Sequence, residues 1–175
     1  MNPAVFLDRD GVVNHVVWRD GKPASPRTLD EFMLAPGTVA LERVRATGMR
    51  LFVVTNQPDI ARGLLEPAVL DGCMARVRAA TGCDDLRCCT HDDGDACACR
   101  KPRPGMLHDL ALSWEVDLGA SYMVGDSWRD VEAGRVAGCT TVLIRRPYNE
   151  GVVADIVVAS LADAVDALLA HRERE

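Results

Sequence analysis

Short apolar runs alternate with amphipathic segments along almost the whole chain. Ala4–Leu7 and Arg50–Thr55 are two of the apolar runs, and the second is nearly continuous, as in a strand buried on both faces of a sheet. Proline and glycine bracket the amphipathic segments, as Pro67 and Gly82 do around one of them. The predicted strands are Ala4–Leu7, Arg50–Thr55, Leu86–Thr90, Tyr122–Val124, Thr141–Ile144 and Ile156–Val158, and the predicted helices are Thr38–Thr47, Pro67–Thr81, Pro104–Trp114, Arg129–Ala137 and Leu161–His171.

Strands and helices that alternate in this order are typical of βαβ units and a parallel sheet. We therefore predict an α/β fold with three layers (α/β/α), similar to a Rossmann fold. The length of 175 residues suits a single domain over residues 1–175. In such sheets ligands bind beyond the carboxyl ends of the strands, so the residues that follow the strands are the first candidates for chemistry.

The composition argues against several classes of function. Hydrophobic residues make up 48% of the chain and charged residues 26%, as in an ordinary globular protein. The net charge of −6 argues against a nucleic-acid-binding surface, which is usually basic. No apolar stretch approaches the roughly 20 residues of a membrane span, and the first residues lack the pattern of a signal peptide. We expect a cytoplasmic monomer that binds neither nucleic acid nor a membrane.

Two carboxylates, Asp8 and Asp10, follow the first predicted strand, with Gly11 behind them. In an extended chain residues two apart point to the same side, and glycine lets the backbone turn tightly. Carboxylates this close repel each other, so either a cation lies between them or one pKa is raised. Both situations suit phosphoryl transfer, in which one carboxylate attacks phosphorus and the other donates a proton. The same motif also occurs in solvated turns and calcium sites.

A second acidic pair follows the predicted strand at 122–124. Asp126 lies at the strand end, and Asp130 can face the same way from the first turn of the next helix. Asp8, Asp126 and a backbone carbonyl near Asp10 would supply the oxygen ligands that magnesium prefers. The alternative is that Asp126 and Asp130 only favour a helix N-terminus.

Hydrogen-bond donors and cations stand at two further places. Thr55 and Asn56 follow a strand and could donate to phosphate oxygens, or simply form a turn. Arg100 and Lys101 precede the helix at 104–114, whose N-terminus itself favours anions. The chain has eighteen arginines and two lysines, so Lys101 suggests a need for a compact point charge. A solvated charge run is the alternative.

Four of the seven cysteines fall within twelve residues, which favours a metal site over disulfides in a reducing compartment. Cys89, His91, Cys97 and Cys99 form a tetrahedral set that is typical of structural zinc. Cys88 is the competing ligand, but it lies on the opposite face of the strand from His91 and is expected in the core. Redox-active or merely buried thiols are the alternatives to zinc.

Taken in order, four motifs resemble those of the haloacid dehalogenase (HAD) superfamily, and the resemblance covers nearly the whole chain. The branch that they match best contains D-glycero-D-manno-heptose-1,7-bisphosphate phosphatase and histidinol-phosphatase. The motifs are Asp8-Arg9-Asp10-Gly11-Val12-Val13-Asn14, Thr55-Asn56-Gln57, Cys97-Ala98-Cys99-Arg100-Lys101-Pro102 and Val124-Gly125-Asp126.

This resemblance implies a magnesium-dependent phosphatase that forms an aspartyl-phosphate, with Asp8 as the nucleophile and Asp10 as the general acid and base. It also assigns residues to phosphoryl binding, substrate recognition and two metal sites. Thr55 and Lys101 would steady the phosphoryl group, and the substrate would be recognised by Asn56, Arg100, Val16, Val17, Trp18 and Arg19. The magnesium ligands would be Asp8, Asp10 and Asp126, with Asp130 supporting them without binding the metal directly, and the zinc ligands would be Cys89, His91, Cys97 and Cys99.

The chain departs from the family pattern in three places near the substrate rim. The loop between His91 and Cys97 is shorter than usual, Ser127 stands where those enzymes commonly have lysine, and Asp59 stands where they usually have glycine. These departures weaken the prediction of the substrate and do not touch the residues of phosphoryl transfer.

The spacing of the motifs leaves no room for an added cap domain. The segments at 14–51 and 57–101 hold only a loop, single helices, a strand and the zinc loop 89–99, so we expect a capless HAD-like fold in which this loop and Trp18–Arg27 set specificity. The expected substrate is a small phosphorylated metabolite of carbohydrate metabolism. The first choice is a heptose 1,7-bisphosphate, from which the 7-phosphate would be removed. Histidinol phosphate or another sugar phosphate is the alternative, and a non-catalytic phosphosugar-binding domain is the alternative from a different class.

Overall fold

Strands and helices alternate along residues 2–174, which are the residues that the structure, a computed structural model, describes. The strands are β1 (Ala4–Leu7), β2 (Val17–Arg19), β3 (Lys22–Ala24), β4 (Arg50–Asn56), β5 (Asp85–Cys89), β6 (Tyr122–Gly125), β7 (Thr140–Ile144) and β8 (Ile156–Val158). The helices are α1 (Leu41–Ala46), α2 (Pro67–Thr81), α3 (Gly105–Trp114), α4 (Trp128–Ala137) and α5 (Leu161–Arg172), and short 3-10 turns cover Thr38–Ala40, Asp93–Asp95 and Pro147–Asn149.

Six of the strands form one parallel sheet in the order β5-β4-β1-β6-β7-β8. β1 lies between β4 and β6, with Phe6 opposite Phe52 on one side and Met123 on the other. The chain builds the sheet in one direction from β1 to β5 and then in the other from β6 to β8. The strand order therefore reverses beside β1, where a crevice opens at the carboxyl edge of the sheet.

Helices cover both faces of the sheet, because alternate strand residues point to opposite sides. On one side Val5 and Leu7 belong to a core that includes buried residues of α1, α2 and α5. On the other side Ala4 and Phe6 join a second core with buried residues of α3. The predicted three-layer α/β/α class is confirmed.

One element differs in kind from the prediction. Val17–Arg19 and Lys22–Ala24 form an antiparallel hairpin, whereas the sequence analysis assigned a loop to this region. Its turn consists of Asp20 and Gly21, both with positive φ (50° and 73°), which is the backbone that favours Asp-Gly between two short strands. Within residues 2–174, β2 and β3 form a separate two-stranded sheet in the segment between β1 and β4. A hairpin of this size is too small to be a cap domain, so the fold is capless as expected.

None of the helices within residues 2–174 is both long enough and apolar enough to span a bilayer.

Candidate active site

Three aspartates meet at the carboxyl edge of the sheet. Asp8 follows β1, Asp126 follows β6, and Asp130 lies in the first turn of α4, where its carboxylate accepts from the Ser127 amide at 3.0 Å. Because β1 and β6 are adjacent, their ends place Asp8 and Asp126 side by side. One carboxylate oxygen from each aspartate lies within 4.8 Å of the others. The structure thus brings together aspartates that are far apart in sequence.

Lys101 is the cation of this cluster, and only 2% of it is exposed. Its ammonium group donates to Asp8 Oδ1 at 2.7 Å, to Asp130 Oδ1 at 2.6 Å and to the carbonyl of Val54 at 2.8 Å. Burial acts to lower the pKa of Lys101, but the two carboxylates outweigh burial and raise it. Lys101 therefore carries a permanent positive charge in contact with Asp8.

Two residues at the end of β4 support this arrangement. The amide of Asn56 donates to the carbonyl of Lys101 at 2.9 Å, and its oxygen accepts from the Lys101 amide at 3.1 Å. Asn56, which the resemblance assigns to substrate recognition, thus holds the Lys101 backbone while also lining the cavity. Thr55 Oγ1 accepts from Gln57 Nε2 at 2.9 Å, so the Thr55 hydroxyl proton can donate to a ligand.

The site has more negative than positive charge. Burial raises the pKa of Asp8 to about 7, and Asp130 adds to this effect while Lys101 opposes it. Burial also raises the pKa of Asp126, again with a contribution from neighbouring carboxylates. A divalent cation among these groups would lower both pKa values. Because the donors are all oxygen, the set fits magnesium.

Asp10 lies two residues from Asp8 but in a different environment. Its carboxylate accepts, at 2.8 Å in each case, from the side chains of Arg9, Asn14, Ser25 and Gln57. Burial acts to raise the pKa of Asp10, but the buried Arg9 guanidinium and the hydrogen bonds outweigh it and lower the pKa. In the free protein Asp10 is therefore an ionised carboxylate held by four side chains.

Two residues that the sequence analysis did not single out hold Asp126. The hydroxyl of Tyr148 donates to Asp126 Oδ2, and the amide of Asn149 donates to the Asp126 carbonyl at 2.7 Å. Both follow β7 at the same sheet edge, and this position could have identified them. Gly11 is also required here, because a Cβ at this residue would lie 1.7 Å from Asp126 Oδ2.

Replacing Tyr148 with phenylalanine is expected to weaken magnesium binding, because Asp126 loses the hydrogen bond that orients it. Losing one such partner of a metal ligand typically costs about 10-fold in affinity. The magnesium concentration that half-saturates turnover should rise by about this factor, while kcat at saturating magnesium stays close to that of the parent chain. A magnesium titration of Tyr148→Phe that superimposes on that of the parent chain would contradict this role.

The cysteine cluster forms a second potential metal site, and its last cysteine precedes Lys101 by two residues. Cys99 Sγ lies 3.3 Å from His91 Nδ1 and 3.4 Å from Cys97 Sγ, and Cys89 Sγ lies 3.5 Å and 3.6 Å from the same two atoms. Ligands at about 2.3 Å from a tetrahedral zinc ion would lie about 3.7 Å apart, so this set fits zinc closely. Cys88 is outside the group, as expected. Its predicted place in the core is wrong, because Cys88 is only half-buried and belongs to neither core cluster.

Loss of a metal ion from the cysteine cluster is expected to disturb the active site, because Arg100 and Lys101 directly follow Cys99. We expect Cys97→Ser to bind less zinc than the parent chain, to melt at a lower temperature and to lose most of its turnover. Cys88→Ser is the matched control, because Cys88 neighbours the cluster without joining it. Elemental analysis that finds zinc in neither the parent chain nor Cys88→Ser would show that the cluster serves another purpose.

A cavity of about 750 Å³ opens above the aspartates. Among the residues expected to recognise substrate, Val16, Asn56 and Arg100 line it. Trp18 instead packs its ring against Tyr148, with centroids 5.8 Å apart. Arg19 forms an ion pair with Glu31 and donates to the Ser25 carbonyl at 2.6 Å. Val17, Trp18 and Arg19 lie in β2 and are absent from the described lining of the cavity.

A parallel sheet of this order, with an aspartate after its first strand and a buried lysine in contact with it, defines a hydrolase of the HAD-like class. In agreement, the model of the HAD-hydrolase-like family matches residues 98–164.

Relatives define the family more narrowly. The chain is 39% identical to a D-glycero-beta-D-manno-heptose-1,7-bisphosphate 7-phosphatase from Bordetella bronchiseptica over 147 residues, which are 81% of this chain and 79% of that protein. It is 34% identical to the Escherichia coli enzyme of the same name, over 95% of this chain and 93% of that protein. The crystal structure of D,D-heptose 1,7-bisphosphate phosphatase from B. bronchiseptica, complexed with magnesium and phosphate, superimposes with a TM-score of 0.82 at 35% identity and covers 97% of this chain and 99% of that chain. The chain belongs to the D-glycero-beta-D-manno-heptose-1,7-bisphosphate 7-phosphatase family of HAD-like hydrolases, which confirms the predicted superfamily and branch.

Proposed function

We propose that this chain is a magnesium-dependent phosphatase that removes the 7-phosphate of D-glycero-beta-D-manno-heptose 1,7-bisphosphate. The observation that carries the proposal is the contact of Asp8 with Lys101 at 2.7 Å, next to Asp126, on the floor of an open cavity. This arrangement joins a nucleophile, a fixed cation and a set of oxygen donors for a metal. The choice of substrate rests on the relatives, which are 34–39% identical over most of the chain and are named for this activity.

In the proposed reaction Asp8 attacks phosphorus. Lys101 holds Asp8 Oδ1, so Oδ2 forms the new bond to phosphorus while the bond between phosphorus and the sugar oxygen breaks and that oxygen takes up a proton. Lys101 and the hydroxyl of Thr55 face the charge that develops on the phosphoryl oxygens. Water then attacks the phosphorus of the aspartyl-phosphate, which releases phosphate and restores Asp8.

Asp10 handles the protons in this scheme. Its lowered pKa makes it an anion in the free protein, which is the form that accepts a proton from the attacking water in the second step. For the first step it has to be protonated. A bound phosphate dianion raises the pKa of a nearby carboxylate, and a phosphomonoester whose second pKa is about 6 can also bring the proton with it.

Asp8, Asp126 and the backbone carbonyl of Asp10 would hold magnesium, whose chemistry is to neutralise charge on the phosphoryl group and on the carboxylates. Asp130 is close enough to belong to the same group. However, Lys101 occupies one of its oxygens and Ser127 Oγ, at 2.7 Å, the other. We therefore assign Asp130 to the support of Lys101. Cys89, His91, Cys97 and Cys99 would hold a structural zinc ion.

We also propose that residues 1–175 act as one domain and as a monomer in a reducing compartment such as the cytoplasm. Each residue assigned to the reaction comes from this one chain, so the site needs no contribution from a second copy. The zinc set requires reduced thiolates, which a reducing compartment maintains.

The substrate is tested by assaying the purified chain with magnesium against heptose 1,7-bisphosphate, histidinol phosphate and p-nitrophenyl phosphate. We expect kcat/KM to be highest for the heptose bisphosphate, with turnover abolished by EDTA and restored by magnesium. A preference for histidinol phosphate would overturn the substrate and keep the reaction. Tight binding of the heptose bisphosphate without release of phosphate would overturn the reaction and indicate a phosphosugar-binding protein.

A further inference from the structure

Ser25 connects the β2–β3 hairpin to the active site. It directly follows β3, and its hydroxyl donates to Asp10 Oδ2 at 2.8 Å. Within the described part of the chain the two strands of the hairpin pair only with each other and not with the six-stranded sheet. One of the four side chains that hold Asp10 therefore comes from an element outside that sheet.

Ser25 differs from the other three partners of Asp10 in its surroundings. Arg9, Asn14 and Gln57 are fully buried and follow β1 or β4. Ser25 is only partly buried, and of the four described partners it alone lines the cavity. Its hydroxyl thus restrains the Asp10 carboxylate from the side that a ligand approaches.

The backbone around Ser25 is fixed by two charged side chains and a proline. Arg19 on β2 donates to the Ser25 carbonyl at 2.6 Å and forms an ion pair with Glu31. Glu31 also accepts from the Arg27 amide at 2.7 Å, two residues beyond Ser25. Pro26 is buried between them and favours an extended backbone at the residue that precedes it. The direction of the Ser25 hydroxyl therefore depends on Arg19, which Glu31 holds in place.

The orientation of Asp10 matters because proton transfer is sensitive to geometry. A general acid has to lie within hydrogen-bond reach of the oxygen that it protonates, and a displacement of about 1 Å can reduce the rate by about 10²-fold. The three buried partners hold the carboxylate from inside the protein. Only the bond from Ser25, among the four described, limits its movement at the cavity.

We propose that Ser25 is a positioning residue for Asp10 and that Arg19, held by Glu31, acts through Ser25. Together they keep the Asp10 carboxyl group in the orientation that delivers a proton to the leaving oxygen. This role rests on the proposed function, in which Asp10 is the general acid. It gives Arg19 an indirect part in the reaction, in place of the substrate recognition that the resemblance implies.

The test compares phenyl phosphate with p-nitrophenyl phosphate in a single turnover, with magnesium present and the protein in excess over the ester. The two esters have similar shapes, but phenolate leaves less readily than p-nitrophenolate, so phenyl phosphate depends more on the proton from Asp10. We expect Ser25→Ala to slow the release of phenol by about 10-fold, which is part of the roughly 10²–10⁴-fold that general acid catalysis provides, and the release of p-nitrophenol by no more than about 3-fold. Ser25→Thr keeps the hydroxyl and should restore the release of phenol.

Arg19→Gln should also slow the release of phenol more than that of p-nitrophenol. Ser25→Ala/Arg19→Gln should be no slower than Ser25→Ala, because both substitutions act through one hydroxyl. The matched controls are Ser113→Ala and Arg135→Gln, which should change neither rate. Ser113 is an exposed serine of α3, Arg135 is an exposed arginine that pairs with Glu132, and both are absent from the described lining of the cavity.

Asp10→Asn separates a failure of this role from a failure of the proposed function. It should slow the release of phenol far more than that of p-nitrophenol. If it does not, Asp10 is not the general acid, and the proposed mechanism and the role of Ser25 are both overturned. If Asp10→Asn distinguishes the esters but Ser25→Ala slows neither, or slows both equally, only the role of Ser25 is overturned. Additive effects of Ser25→Ala and Arg19→Gln would overturn the role of Arg19.

Discussion

Asp8→Asn is expected to reduce kcat by about 10⁴-fold or more, which is the usual loss when a covalent nucleophile is removed. The amide cannot form the bond to phosphorus, although its oxygen can still accept from Lys101. The measurement is phosphate release under saturating magnesium and substrate, with Asp71→Asn, an exposed residue of α2, as the control. Turnover within 10-fold of the parent chain would exclude Asp8 as the nucleophile.

The fold should survive this substitution. The pKa of Asp8 is raised to about 7 by burial and by Asp130, so the folded protein binds the Asp8 proton more tightly than the unfolded chain. Ionisation of such a carboxyl lowers the stability of the folded protein. The loss grows as the pH rises from the pKa of the unfolded chain, about 4, through the folded pKa of about 7. Without metal at pH 8, Asp8→Asn should therefore melt at the same temperature as the parent chain or above it. A large fall in melting temperature would mean that the loss of turnover reports unfolding.

Lys101→Met is expected to reduce both activity and stability. The substitution leaves Asp8 and Asp130 buried without the cation that lies 2.7 Å and 2.6 Å from them. Removing one partner of a buried ion pair costs about 3–5 kcal/mol of unfolding free energy, and removing a charge that stabilises the transition state costs about 10²–10³-fold in kcat. Denaturant unfolding and steady-state kinetics measure the two losses.

A double variant separates these two effects. In Lys101→Met/Asp130→Asn, one of the two carboxylates left without a cation is replaced by a neutral amide. Part of the stability lost in Lys101→Met should therefore return. Activity should not return, because the charge beside the reacting phosphate is still missing. If the double variant is as active as the parent chain, Lys101 has no role in the reaction. If it is no more stable than Lys101→Met, the pair of Lys101 with Asp130 does not explain the stability.

Much of the fold was predictable because the strands are buried on both faces and leave continuous apolar runs. Arg50–Asn56 is such a strand, and the prediction missed its end by one residue. The meeting of Asp8 with Asp126 also follows from the sequence, since parallel strands bring their carboxyl ends to one edge. Lys101 was suggested by its rarity as a lysine.

Other parts of the site could not be derived in this way. The hydrogen bond of Tyr148 to Asp126 depends on the path of the chain after β7, which no local pattern specifies. The four donors around Asp10 come from three separate segments, so the direction of its pKa shift depends on tertiary structure. The hairpin, in contrast, could have been predicted, because Asp20-Gly21 is a dipeptide that favours a tight turn between two strands.

We propose that Asp8 receives the phosphoryl group in a site completed by magnesium, Asp126 and Lys101. A crystal structure of the chain grown with magnesium and beryllium fluoride, a mimic of the phosphoryl group, would show whether Asp8 is the acceptor. We predict beryllium bonded to Asp8 Oδ2, with magnesium against Asp8 and Asp126 and the Lys101 ammonium within hydrogen-bond distance of a fluoride. Beryllium fluoride bound at another residue, or an Asp8 carboxylate that remains unmodified at saturating concentrations, would contradict the account.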